Sequence, residues 1–281
     1  MRGIAGLCLF SPYFAPATVS TPLHVQLIVD IGNTDAVFGL YNQTTWQHIW
    51  RTPARPDEPA KSYEGRLRLR LLEAGIPLSA IQTTVISSVV PDLTPTIRTM
   101  LRELFGLEPI VVGPAVYSSL PLEILRAHEI GADLVANALA AYTRYRRNCV
   151  VVDFGTALTF TTVSGDGKIL GVAIAPGLET AIRSLFANTA QLPEVPIDVP
   201  ASALGLNTTH AIQAGVVLGY EGLVRFLLDR IRAELGGDCI AIATGGLSGK
   251  IPSLHNAFVD VVPSLTLEGI RLIGESVTAA R

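Results

Sequence analysis

One arrangement occurs twice in this 281-residue chain: residues 27–34 read LIVDIGNT and residues 150–157 read VVVDFGTA. Each copy has an apolar run, then an aspartate, a hydrophobic residue, a glycine and polar residues. An apolar, β-branched run followed by a polar turn predicts a buried strand with the aspartate at its carboxyl end. Two halves built alike would place both acidic strand ends at one cleft.

The first copy has the residue types of a phosphate-binding turn. Gly32 has no Cβ, so the backbone can bend sharply and approach a ligand closely. The amides that follow, with the side chains of Asn33 and Thr34, can donate to phosphate oxygens. Asp30 would instead hold a cation, because a carboxylate and a phosphate are both anions. An ordinary hairpin with an aspartate at its mouth also fits, but two copies favour phosphate binding.

The second copy offers the same chemistry through Asp153, Gly155 and Thr156. A third turn, with the adjacent glycines Gly245 and Gly246, follows another buried strand. Two adjacent glycines would let a flat ring such as adenine lie against the backbone, although a tight strand-to-helix turn fits as well. The chain contains neither G-x-x-x-x-G-K-[ST] nor G-x-G-x-x-G, which excludes a P-loop and argues against a Rossmann dinucleotide site.

The rest of the chain alternates short β-branched runs with amphipathic segments, which predicts an α/β fold. A hairpin through residues 165–167 joins two of the strands. The predicted strands are 24–30, 36–41, 84–90, 109–112, 149–153, 158–163, 169–175 and 239–243, and the predicted helices are 62–74, 93–105, 133–145, 181–190, 207–235 and 266–279.

Composition narrows the class of protein. With 49% hydrophobic and 16% charged residues, the chain is not intrinsically disordered. A net charge of −3 without a long basic run gives no reason to expect nucleic acid or a membrane surface as a partner. Arg66, Arg68 and Arg70 fan around a predicted helix and are interpreted as a solvated face.

The three cysteines are an odd count, and Cys149 and Cys239 adjoin apolar strands, which predicts buried free thiols in a reducing compartment. Residues 1–22 resemble a short signal peptide, but their apolar run is short and interrupted. We therefore expect a disordered leader on a soluble, cytoplasmic protein.

Further motifs extend the pattern from Val25 to the C-terminus. They are DIGNT (30–34), SSVVP (87–91), GAD (131–133), VDFGTA (152–157), APGL (175–178), NT (207–208), QAG (213–215), GY (219–220) and ATGGL (243–247). In this order and spacing the chain resembles the type III pantothenate kinases, within the sugar kinase, Hsp70 and actin-like folds. The resemblance implies two similar actin-like (ribonuclease H-like) α/β domains, at 23–131 and 132–281, with an ATP cleft between them.

The family resemblance also implies a reaction, in which ATP phosphorylates the primary hydroxyl of pantothenate in the first step of coenzyme A biosynthesis. Asp133 would be the general base, although a helix N-cap would explain it too. Asp153 would bind a monovalent cation (K⁺ or NH₄⁺), and Mg²⁺ would accompany ATP. The implied ATP-binding residues are Asp30, Gly32, Asn33, Thr34, Gly155, Thr156, Gly245 and Gly246, and the implied substrate-binding residues are Gly131, Ala132, Asp133, Leu134 and Thr208.

Thr208 would serve the partner subunit's site in a homodimer. Gly215 and Gly219, four apart on one predicted helix face, would allow close packing either at that interface or within the chain.

Four substitutions depart from the family pattern on or near the acceptor side. Leu134 stands where the family has an arginine for the carboxylate of pantothenate, Ile124 replaces a tyrosine, Leu206 a lysine and Thr161 an acidic residue. An apolar side chain cannot form a charge-assisted bond. Two alternatives to pantothenate kinase therefore stay open: a paralogue with an intact ATP site and another small acceptor, and a non-catalytic ATP-binding regulator.

Overall fold

The computed structural model describes residues 24–280, which form two five-stranded sheets. The first contains β1 (Val25–Ile31), β2 (Asp35–Tyr41), β3 (Trp46–Pro53), β4 (Ile81–Ser88) and β5 (Ile110–Val111) in the order β3-β2-β1-β4-β5. The second contains β6 (Cys149–Phe154), β7 (Ala157–Val163), β8 (Ile169–Pro176), β9 (Ile240–Thr244) and β10 (Asp260–Val261) in the order β10-β9-β6-β7-β8.

The two sheets have the same topology. In each, three consecutive antiparallel strands are followed by two strands that add in parallel beside the first. The similar sequences at residues 27–34 and 150–157 therefore lie at the start of two equivalent α/β units, as predicted.

Eight α-helices of the described residues cover the sheets. They are α1 (Ala60–Glu73), α2 (Thr94–Phe105), α3 (Pro114–Tyr117), α4 (Ala132–Tyr145), α5 (Leu178–Asn188), α6 (Thr208–Gln213), α7 (Gly219–Glu234) and α8 (Leu265–Ala279). Helices α4 and α8 pack between the two sheets, α1 and α2 cover the outer face of the first sheet, and α7 covers the outer face of the second.

Alternation along each central strand fixes which face each side chain occupies. In β1, Leu27 and Val29 pack under α1 and α2, whereas Ile28 belongs to the core between the sheets. In β6, Val152 faces outward and Val151 faces that same inner core. Asp30 and Asp153, each one residue before the end of its strand, therefore point into the space between the two sheets.

Helix α8, at the end of the chain, returns to the first sheet. A Cβ on Gly274 would lie 2.6 Å from Val85 Cγ2 of β4, and a Cβ on Gly269 would lie 1.9 Å from the Ala136 carbonyl oxygen of α4. These approaches hold α8 tightly against both β4 and α4. The division of the chain into 23–131 and 132–281 stays a prediction.

Most predicted elements are present with ends shifted by a few residues, but β3, β10 and α3 were not predicted. The helix expected at 181–190 begins at Leu178, and the one expected at 207–235 comprises α6, a π-helical segment (Ala214–Leu218) and α7. The Asn207 side chain accepts a hydrogen bond from the His210 backbone amide at 2.9 Å and so caps the N-terminus of α6.

Residues Thr208–Glu234 are long and apolar enough to cross a membrane by length and composition. Their buried side chains, including Val217, Val224 and Leu228, instead pack on the second sheet. This is the arrangement of a core helix.

Two smaller predictions are confirmed. Cys149 and Cys239 are buried free thiols, whereas Cys8 and the leader at 1–22 lie outside the described residues. Arg66, Arg68 and Arg70 form ion pairs with Glu58, Glu64 and Glu73 respectively, so they are not a phosphate-binding patch.

Candidate active site

A row of side chains crosses the inner face of the first sheet. Asp30 pairs with Ser87 of β4 on one side and Val37 of β2 on the other, and Val37 pairs with Arg51 of β3. Laterally paired residues project to the same face of a sheet. Ser87, Asp30, Val37 and Arg51 therefore all project into the space between the sheets.

The second sheet carries the equivalent row. Asp153 pairs with Thr244 of β9 and Thr159 of β7, and Thr159 pairs with Ile174 of β8. The hydroxyls of Thr159 and Thr244 are buried and have no hydrogen-bond partner among residues 24–280. These two hydroxyl oxygens lie beside Asp153 and are not engaged by any described residue, so they are available to a ligand.

The two turns meet across the cleft. The hydroxyl oxygens of Thr34 and Thr156 lie 2.8 Å apart, in hydrogen-bonding contact. The turn at Gly245 also closes on the second aspartate, since a Cβ on Gly245 would lie 2.5 Å from Asp153 Oδ1. Gly245 has φ of +90°, so glycine is needed there for conformation as well as for space. The three turns that the sequence singled out thus surround one cleft.

Asp133 stands at the same cleft, in the first turn of α4. The helix N-cap is Gly131, so the N-cap interpretation of Asp133 is wrong. Asp133 Oδ1 accepts a hydrogen bond from the Leu134 amide at 2.9 Å, and the positive end of the helix dipole favours a carboxylate here. Burial outweighs these contacts and raises the pKa of Asp133.

The three carboxylates are close enough to repel one another. Burial, followed by the charges of Asp133 and Asp153, raises the pKa of Asp30 to about 7. Burial raises the pKa of Asp153 to about 6, and Asp133 contributes to that shift too. A cation bound in this cleft would relieve the repulsion between the carboxylates and favour their ionised forms. The cleft is therefore a favourable place for a cation.

Asn137 and Thr266 fix the orientation of Asp153. Asn137 Nδ2 donates to Asp153 Oδ2 at 2.9 Å, and Thr266 Oγ1 donates to Asn137 Oδ1 at 2.9 Å. Asn137 is fully buried and lies one turn after Asp133 on α4. The helix that carries the predicted base therefore also carries the partner of the predicted cation ligand.

Three of the four residues predicted on or near the acceptor side are apolar. Leu134 is 7% exposed, and Ile124 packs against the core between the sheets. Thr161 is fully buried with an unpartnered hydroxyl among the described residues, and Leu206 is 92% exposed. Arg126, two positions after Ile124, forms a surface ion pair with Glu129.

One polar residue does approach Asp133 from this side. Tyr117, at the end of α3, is buried, and burial together with the charge of Asp133 raises its pKa to about 12. Its phenol is therefore a neutral hydrogen-bonding group next to the predicted base.

Comparison with known proteins decides the family. Residues 26–230 match the sequence profile of the type III pantothenate kinases. The chain is 46% identical over 259 residues to the type III pantothenate kinase of Treponema pallidum strain Nichols, covering 90% of this chain and 94% of that one. The chain belongs to the type III pantothenate kinase family. The Moorella thermoacetica member is 40% identical over 249 residues, covering 89% of this chain and 98% of that one.

Solved structures support the fold. A Baf family protein from Campylobacter jejuni superposes with a TM-score of 0.57 at 17% identity, covering 90% of this chain and 99% of that one. A ROK family glucokinase from Streptomyces griseus, in complex with glucose and AMPPNP, gives a TM-score of 0.50 at 16% identity, covering 89% and 99%. The actin-like two-domain α/β fold expected for a type III pantothenate kinase is confirmed.

Sequence reasoning missed Arg51, Asn137, Thr266 and Tyr117. Asn137 follows Asp133 by four positions, and this i, i+4 spacing on one helix face could have identified it. Arg51 gave no comparable signal, because the strand that carries it was not predicted.

Proposed function

We propose that this protein transfers the γ-phosphoryl group of ATP to the primary hydroxyl of pantothenate, the first step of coenzyme A biosynthesis. The observation that carries the proposal is the convergence of Asp30, Asp133 and Asp153 with the two threonine turns at one cleft of a type III pantothenate kinase fold. Phosphoryl transfer depends mainly on positioning and charge stabilisation, and this arrangement offers both.

Asp133 is the general base of the proposed reaction. A carboxylate within hydrogen-bond reach of the hydroxyl orients it toward phosphorus and accepts its proton. The raised pKa makes Asp133 a stronger base than an exposed aspartate, while the α4 N-terminus favours its ionised form. Gly131, Ala132 and Leu134 would line the acceptor beside it.

The ATP phosphates are proposed to lie between the turns at 30–34 and 153–156, with the nucleoside near Gly245 and Gly246. The close approach of Gly245 to Asp153 leaves no room for a side chain, as expected where backbone faces a ligand. Asn33, Thr34, Gly155 and Thr156 would donate to phosphate oxygens.

Two cations fit the donor atoms present. Asp153, with the unpartnered Thr159 and Thr244 hydroxyls beside it, offers oxygen ligands for K⁺ or NH₄⁺. No cluster of three histidine, cysteine or acidic side chains suited to a metal occurs among the described residues. Mg²⁺ would accordingly be held largely by the phosphates of ATP, as is usual for this ion, and when bound it neutralises phosphate charge.

A homodimer is proposed for the oligomeric state. Gly215 and Gly219 are exposed, and a Cβ on either would meet no atom within 4 Å, so close packing within the chain does not explain them. Large apolar side chains of the second half of the chain are also exposed, among them Ile174 (68%) and Leu204 (80%). We infer that a second copy of the chain covers such exposed positions and that Thr208 then serves the partner's site, as the family resemblance implies. Pantothenate would thus be bound at a shared site of a soluble, cytoplasmic enzyme.

Leu134 favours a second candidate, a kinase that acts on an acceptor without a carboxylate. Purified protein should be incubated with ATP, Mg²⁺ and K⁺ and with either pantothenate or its neutral amide, and the phosphate ester followed by ³¹P NMR. Product from pantothenate supports the proposed function. Product from the amide alone would replace it with the second candidate, and product from neither acceptor would overturn both.

A further inference from the structure

Arg51 is a cationic side chain in the cleft. The reaction proposed above gives it no role. Arg51 lies on β3, the edge strand of the first sheet, in the same lateral row as Asp30. Two strand spacings separate these residues, about 10 Å, a distance that a long arginine side chain largely covers. Its neighbours fix this orientation: Trp50 stacks on Phe38 on the opposite face, with ring centroids 6.0 Å apart and planes 5° from parallel.

The guanidinium of Arg51 reaches the second half of the molecule. Its Nη1 atom lies 3.9 Å from the position that a Cβ on Gly246 would occupy. Gly246 belongs to the turn after β9, so Arg51 spans the cleft between the sheets at the predicted nucleotide turn. Its positive charge also lowers the pKa values of Asp30 and Asp153, in opposition to their burial.

Arg51 has no ionic partner of its own among residues 24–280. Ten arginines of residues 24–280 are held in ion pairs, such as Arg66 with Glu58 and Arg271 with Glu268 and Glu275. The Arg51 guanidinium forms no such pair and donates no hydrogen bond to a described residue, although three carboxylates line the same cleft. A guanidinium has five donors in a planar fork, which suits the bidentate binding of phosphate.

We propose that Arg51 binds the polyphosphate of ATP across the cleft, linking β3 of the first sheet to the nucleotide turn of the second. The charge balance of the cleft supports this role, because a polyphosphate would otherwise enter beside three carboxylates. Arg51 is the one cationic side chain that acts on both Asp30 and Asp153 among the described residues. The proposal rests on the ATP site described above, but not on the identity of the acceptor.

The test compares ligands that share adenosine and differ in phosphate. Affinities of wild type, Arg51→Gln and Arg51→Lys for MgATP, MgADP and adenosine should be measured by calorimetry without an acceptor. Arg98→Gln is the matched control, because Arg98 pairs with Glu108 on the surface. Losing a charge-assisted contact should weaken MgATP binding by about ten- to a hundredfold in Arg51→Gln, with adenosine binding changed less than about twofold. Arg51→Lys should fall between Arg51→Gln and wild type.

A structural role for Arg51 would give a different pattern. Equal weakening of MgATP and adenosine in Arg51→Gln, no weakening of either, or a wild type that binds MgATP no tighter than adenosine would overturn the proposal. The binding result is independent of turnover. A wild-type protein that binds MgATP through Arg51 but phosphorylates neither acceptor would support this inference and contradict the proposed function.

Discussion

The hydroxyl oxygens of Thr34 and Thr156 lie 2.8 Å apart, although 122 positions separate the two residues in the chain. Each follows an aspartate-ended strand of its own sheet, so the contact joins the two halves at the predicted phosphate site. The two copies of the repeated motif therefore meet at one cleft.

Replacing either threonine by valine should weaken ATP binding. Valine keeps the shape but removes the hydroxyl, and a hydrogen bond to a charged phosphate contributes about 1.5–3 kcal/mol. We expect the KM for ATP to rise at least fivefold in Thr34→Val and in Thr156→Val, with the KM for pantothenate changed less. Steady-state kinetics checks this, with Thr278→Val on α8 as the control, because its hydroxyl bonds only the Gly274 carbonyl of its own helix. Unchanged KM values for ATP would show that neither hydroxyl binds the nucleotide.

The stability of the ligand-free protein should fall as pH rises from about 4 to 8. In this range the folded protein holds more protons than the unfolded chain at Asp30 and Asp153, whose pKa values are raised to about 7 and about 6. The free energy of unfolding then decreases with pH. Because both groups keep some exposure at the cleft, we expect an effect on the order of 2 kcal/mol.

Denaturant unfolding in EDTA measures this dependence. Asp30→Asn should stabilise the protein at pH 8 and have little effect near pH 4, whereas Asp57→Asn, at an exposed loop position, should behave like wild type. If Asp30→Asn raised the free energy of unfolding more at pH 4 than at pH 8, the result would contradict a raised pKa of Asp30.

Gly245→Ala should damage both folding and nucleotide binding. The backbone there has φ of +90°, and a Cβ would lie 2.5 Å from Asp153 Oδ1 and 2.7 Å from backbone atoms of Phe154. Strain of about 1–3 kcal/mol is expected before any clash is counted. Gly249→Ala is the control, since a Cβ on Gly249 meets nothing within 4 Å. Thermal unfolding with and without MgATP should separate the two variants, and equal behaviour would argue against a tight turn at Gly245.

Asn137→Ala should weaken cation binding by Asp153 while the Asp153 carboxylate stays buried. The variant leaves a buried carboxylate oxygen without its donor, which costs about 1–3 kcal/mol and raises the pKa of Asp153 further. We expect the K⁺ concentration needed for half-maximal activity to rise, with a smaller increase in Thr266→Val, which removes only the hydroxyl that orients Asn137. Asn188→Ala is the control, because that side chain bonds only to Ser184 of its own helix. An unchanged K⁺ dependence would make Asn137 purely structural.

The parts of the fold that sequence predicted well are its buried strands. The apolar runs before Asp30 and Asp153 are covered on both faces, so hydrophobicity alone marks them. Strand β3 was missed because it is an edge strand whose residues 47–49 are exposed, which gives no clean alternation. Arg51 was missed for the same reason.

The candidate site was only partly predictable. The repeated motif indicated that two aspartates would meet, and the charge of Asp153 contributes to the raised pKa of Asp30. The bond from Asn137 to Asp153 depends on how α4 packs on the second sheet, which no local pattern specifies. The interpretation of Asp133 as an N-cap was wrong because the cap residue lies two positions earlier, at Gly131.

We propose that Asp133 activates the hydroxyl of pantothenate for attack on ATP. The most direct measurement is ADP release by the purified protein with ATP, Mg²⁺ and K⁺, with and without pantothenate, beside Asp133→Asn. We expect release that depends on pantothenate and falls by about 10²–10⁴-fold in Asp133→Asn, while MgATP affinity is retained. Release that is independent of pantothenate, or equal in both proteins, would contradict it.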